Sequence, residues 1–90
     1  MDKITQGERA AELLENEVFK AAVEGVREAI HEQWANSPIR DVEGQQALRM
    51  SLKLLDDLVA NVRSMVNAGK MEKIRVNNGV MDKVAQFIRS

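Results

Sequence analysis

Apolar residues recur through the second half of the chain at Leu48, Leu52, Leu55, Val59, Val62 and Val66, in steps of four, three, four, three and four. That spacing is one face of an α-helix. A second row, Leu54, Leu58 and Met65, runs beside the first, with Asn61 between its members. The pattern predicts a helix from about Val42 to Ala68, on the order of 40 Å long. Asp41 is placed to cap its start, and Glu43 favours the positive end of the helix dipole. Gly69 is placed to end it as the C′ residue.

Upstream, Phe19, Val23, Val26, Ile30 and Trp34 recur at helical spacing, and Ala22 and Ala29 widen the same face. They predict a helix over about 17–36. It should stop before Pro38, because the residue ahead of a proline avoids the helical region. Gly25 inside it costs about 1 kcal/mol against alanine. The short connector NSPIRD makes the two long helices antiparallel neighbours.

Shorter elements flank this hairpin. Thr5, with Glu8 three residues on, has the pattern of a capping box, and Ala10, Leu13 and Leu14 make a narrow stripe behind it. Asn16 interrupts, as a bend or as the cap of the next helix. Near the other end Asn77-Asn78-Gly79 is a turn signal, and KIRV before it reads as a helix extension, with an extended link as the alternative. Beyond it Val80, Val84, Phe87 and Ile88 predict a last short amphipathic helix. Strand signals are poor throughout. The fold expected is all-α: an antiparallel helical hairpin of about 17–36 and 42–68 with short N- and C-terminal helices, one domain over residues 1–90.

The second apolar row sharpens the picture. One neighbouring helix shields one seam of the long helix, so Leu54, Leu58 and Met65 need a further cover. Leaving such side chains in water forgoes roughly 1.5–3 kcal/mol each, against a total stability near 5–10 kcal/mol. Either the terminal helices close a monomeric bundle, or copies of the chain pair. The second is the expectation: a helical-bundle homo-oligomer whose contact surface is Leu54, Leu58, Met65, Val84, Phe87 and Ile88. An asparagine such as Asn61 in an apolar seam can set register at some cost in stability, or it can lie at the solvent edge.

Composition narrows the chemistry. There is no cysteine and one histidine, His31, so neither a disulfide nor a conventional zinc site from one chain is expected. Glu28 and His31 have the Glu-x-x-His spacing of carboxylate-bridged metal bundles, but they sit towards the flank while Val23, Val26 and Ile30 point inward. No metal or cofactor is expected. The adjacent Asp56 and Asp57 point about 100° apart on a helix and read as a solvated face. No nucleophile–base set can be assembled, and the five glycines fit no phosphate-binding fingerprint. The reading is a non-enzyme. The N-terminus MDKITQGERA lacks the apolar core of a signal peptide, and no run approaches the ~20 apolar residues of a membrane span. A cytoplasmic protein without a membrane partner is expected.

The formal net charge is −1, but it is unevenly spread: residues 1–43 hold ten acids and five bases (−5), and residues 44–90 hold four acids and eight bases (+4). Two solvated faces of opposite sign explain this, as would complementarity between copies. Lys70, Lys73, Arg75, Lys83 and Arg89 also raise a second function, a nucleic-acid-binding packaging or regulatory protein. Against it, acids are interspersed, and Trp34 and the phenylalanines hold core-like positions rather than forming a stacking platform. A third reading is an inhibitor or small-ligand-binding protein with a pocket between copies.

The run from Arg9 to Lys70 resembles a group of small helical proteins encoded by tailed bacteriophages. The likeness lies in AAELLEN, in the spacing of Trp34, Ser37, Pro38, Asp41, Glu43 and Gly44, and in the leucine-rich helix ending near a glycine. It covers about two-thirds of the chain and does not extend past Lys70. The group is mostly without assigned function and tends to be encoded among virion-structure or packaging genes. The resemblance implies a viral source and a non-enzymatic assembly or accessory role, in the host cytoplasm or associated with the virion. A phage or host protein would then be a further partner. It supplies no site residues.

Overall fold

The computed structural model describes residues 1–89, with side chains through Ile88. Three helices account for almost all of them: α1 Lys3–Glu15, α2 Glu17–Asn36 and α3 Val42–Arg89. No strand occurs among the described residues.

Local chemistry sets most of the boundaries. Asp2 caps α1: its Oδ1 accepts from the Thr5 backbone N–H at 2.7 Å and its Oδ2 from the Thr5 hydroxyl at 3.2 Å. The expected cap at Thr5 is therefore displaced by three residues, because an aspartate stood at the right offset to take that role first. The Thr5 bond, more than any other contact, holds the Asp2 carboxyl below its usual range. Asn16 ends α1 and starts α2 in one extended residue, its Oδ1 accepting from Phe19 N–H at 2.9 Å. Ser37 closes α2, donating its hydroxyl to the Trp34 carbonyl at 2.7 Å, and Pro38 follows. Asp41 accepts from Gly44 N–H at 3.0 Å to open α3. A Cβ on Gly44 would collide with that capping carboxylate.

α1 and α2 follow one another along α3, both running against its direction. Arg27 of α2 donates to Asp56 at 2.8 Å, and Glu8 of α1 pairs with Lys73 at 3.1 Å. The tightest packing is between α1 and α3. There Gly7 meets Gly69: a Cβ on Gly7 would lie 2.9 Å from the Gly69 Cα and 3.0 Å from the Met65 carbonyl oxygen. Gly69 thus does not terminate a helix. It has no positive φ, it is buried inside α3, and its missing side chain lets two backbones touch.

Asn77-Asn78-Gly79 makes no turn, and the expected separate C-terminal helix is the continuation of α3, which runs 48 residues without a break. The three residues together cost about 2 kcal/mol against alanine in a helix interior. An established helix propagates through such residues because its nucleation has already been met.

The core is thin. Among the described residues, the buried apolar side chains are Ala10, Ile30 and Val62. The molecule measures 76 × 26 × 17 Å, with a radius of gyration of 21.1 Å, where a compact chain of this length has about 12 Å. Its accessible surface is 7401 Å², against about 5,300 Å² for a compact monomer of the same mass.

Candidate interaction surface

Among the described residues, two apolar surfaces of α3 face solvent. The first is a flank. The seam residues Leu48, Leu52, Leu55 and Val59 turn towards α2 and are half-buried, and Val62 is fully buried. Leu54 and Leu58, about 100° round the helix from Leu55 and Val59, remain 61% and 55% exposed, with exposed Met50 a turn before them. Met65 divides from this row. It is half-buried, because α1 reaches that level of α3 and its Gly7 approaches the Met65 carbonyl. Asn61 is exposed at the edge of the same row.

The second surface is an overhang. The seam that meets α1 passes through Val62, Val66, Gly69, Lys73 and Val76. Val66 and Gly69 line a groove with Ile4 and Gly7, and Val76 lines another with Asp2 and Lys3. α1 begins at Lys3, so the arm ends there. The same seam runs on through Val80 and Val84, 54% and 47% exposed, with Ile88 and Phe87 more exposed still. Phe87 and Trp34 are thus not core residues: Trp34 is 39% exposed near the end of α2.

The charged groups are dispersed. Of the basic residues considered for nucleic acid, Lys73 pairs with Glu8 and Arg75 with Glu72, the latter at 2.6 Å. That bond holds the Glu72 carboxyl below its usual range and raises the Arg75 guanidinium. Lys70 and Lys83 are exposed and face different sides of α3. The side chain of Arg89 lies outside the described residues. Asp56 and Asp57 are separated chemically, one bonded to Arg27 and the other to Lys53 at 3.2 Å. Glu28 and His31 are exposed, and no group of three acidic or imidazole side chains converges among the described residues. No helix among the described residues is long and apolar enough to cross a membrane.

Sequence reasoning missed two features. One is the Gly7–Gly69 crossing, for which a glycine at a helical seam position was the available signal. The other is an open groove at the α1–α2 joint, lined by Leu14, Phe19, Val23 and Val59 and rimmed by Lys20, Glu24, Arg27 and Arg63. No protein family, no curated protein and no solved structure matches this chain.

Proposed function

We propose that this chain is a non-enzymatic helical protein that works by self-association and protein–protein contact, as a virion-assembly or packaging accessory of the phage type. The observation that supports the reading is the bare apolar surface on α3, above all Leu54 and Leu58. The chain exposes about 2,100 Å² more than a compact monomer of its mass. A standard interface takes about 800 Å² from each partner and obligate homodimers take more; the extended shape of the chain leaves surface of that order open to a partner. The phage role follows from the sequence resemblance alone.

The test is mass in solution by light scattering, with Leu58→Asp as the perturbation. The wild-type chain should be larger than one 10.1 kDa copy, and Leu58→Asp should shift the population towards single copies while the helical spectrum is kept. A wild-type monomer across the accessible concentration range would remove the self-association reading. An unaltered mass in the variant would remove the flank from the surface.

A further inference from the structure

We infer that the Leu54–Leu58 flank is half of a wider contact face, that the other half is a row of smaller residues on α2, and that two copies close on it as a four-helix bundle. Each copy lays its leucines on the α2 row of the other. The pairing rests on the self-association proposed above and adds the second half of the surface and its symmetry.

The first observation is how charge divides between the two sides of the α2–α3 hairpin. On one side Lys20, Glu24 and Arg27 line a groove with Arg63, and Arg27 also holds Asp56. On the other side Gln33 of α2 meets Ala47 and Ser51 of α3. Helical spacing carries each helix along that second side. On α2 the row runs back from Gln33 through Ala29 and Val26 to Ala22, in steps of four, three and four. On α3 it runs forward from Ala47 through Ser51 and Leu54 to Leu58, in the same steps. Every residue of both rows is exposed in a single copy, and none is charged.

The second observation is the relief of that side. The Arg27–Asp56 bond at 2.8 Å fixes the level of the two helices. Because they run antiparallel, Leu54 comes level with Ala29 and Leu58 with Val26. A ridge of two leucines on α3 therefore runs beside a shallower row on α2. Such a side is complementary to itself. A two-fold axis along the hairpin sets Leu54 of each copy on Ala29 of the other, and the isologous contact repeats this twice. Every helix then lies between two antiparallel neighbours, the up-down-up-down arrangement of four-helix bundles. Copies related end over end would instead stack ridge on ridge and hold the α2 rows apart, leaving a void that close packing disfavours.

The area of this side is that of a pair. α2 is about 30 Å long and the molecule is 26 Å across, so the side presents about 800 Å², the share of one partner in a standard interface. A second copy covers it edge to edge, and the two rows bury no charge in doing so.

Solution mass and cross-linking on the full chain test the pairing. Ala29→Arg changes α2 alone, at a site exposed in the single copy, and Glu32 one turn on supports the new charge within the helix. Its helical spectrum should match wild type, while its dissociation constant rises at least roughly tenfold; Leu58→Asp should do the same. Ala22 and Asn61 are level in the hairpin and face each other across the proposed pair. In a chain with no other cysteine, oxidation of Ala22→Cys mixed with Asn61→Cys should give a mixed disulfide dimer. Neither variant alone should cross-link, because each site lies diagonally across the bundle from its own copy, beyond the ~7 Å that a disulfide spans. If wild type associates and Leu58→Asp dissociates it but Ala29→Arg keeps its mass, the flank stands and its α2 half falls. Efficient cross-linking of Asn61→Cys alone would place α3 on α3 and overturn the symmetry. If wild type is monomeric throughout, the self-association reading fails and this pairing fails with it.

Discussion

Replacing Gly7 by alanine should push α1 off α3. The new methyl carbon would sit 2.9 Å from the Gly69 Cα, 3.0 Å from the Met65 carbonyl oxygen and 3.4 Å from the Gly69 nitrogen. Carbon atoms prefer about 3.5–4.0 Å, so the helices must separate by roughly half an ångström or more. All three obstructing atoms are backbone, and no rotamer change relieves them. Overpacking of this kind costs about 1–3 kcal/mol. Alanine recovers about 0.5–1 kcal/mol of helix propensity, leaving a net loss of about 0–2.5 kcal/mol. Gly25→Ala is the matched control, since nothing lies within 4 Å of its Cβ position; it should gain about 0.5–1 kcal/mol. In a domain of this size 1 kcal/mol moves the melting temperature by about 4–8 °C. Thermal unfolding followed by circular dichroism, at one fixed protein concentration because association shifts apparent stability, should therefore move in opposite directions for the two variants. If Gly7→Ala melted at or above Gly25→Ala, the close crossing would not exist in solution.

Asn16→Ala removes the single side chain that caps α2 at the α1–α2 joint, and should cost about 1 kcal/mol; Asn16→Asp should restore most of it in the same melt. Asp2 and Glu72 both have lowered carboxyl pKa values, through the Thr5 N–H and the Arg75 guanidinium respectively. A depressed folded pKa means stability that is present above the unfolded value, about 4, and is lost as pH falls through the folded one. Acid titration of wild type should show a decline beginning near pH 4, and Asp2→Asn should flatten part of that slope; an identical slope would rule out the cap as a contributor.

Several elements were legible because their determinants are local. Asn16 and Asp41 cap helices as their side-chain chemistry suggests, and Pro38 follows the end of α2. The exposed pair Leu54 and Leu58 could be read from the width of the apolar face, since a helix has a fixed angular step. Met65, in the same row, could not, because its cover comes from α1, a segment nearly sixty residues earlier. Gly69 carried the same ambiguity. A helical glycine is a terminator or a crossing point, and only the neighbour decides which. The capping box at Thr5 failed for a different reason: a competing cap stood three residues upstream, and helix starts are settled by competition between adjacent candidates.

The order of residues by itself determined an all-helical chain, the caps at its interior breaks and the greasy faces of its helices, because each of these depends on atoms within about four residues. Tertiary structure alone decided that Gly69 is a crossing point inside α3, where Gly7 touches it. It also decided that Met65 is half-buried while Leu54 and Leu58 stay exposed. Those outcomes depend on what distant segments bring alongside, and a backbone that could equally turn or continue follows whichever surface it meets.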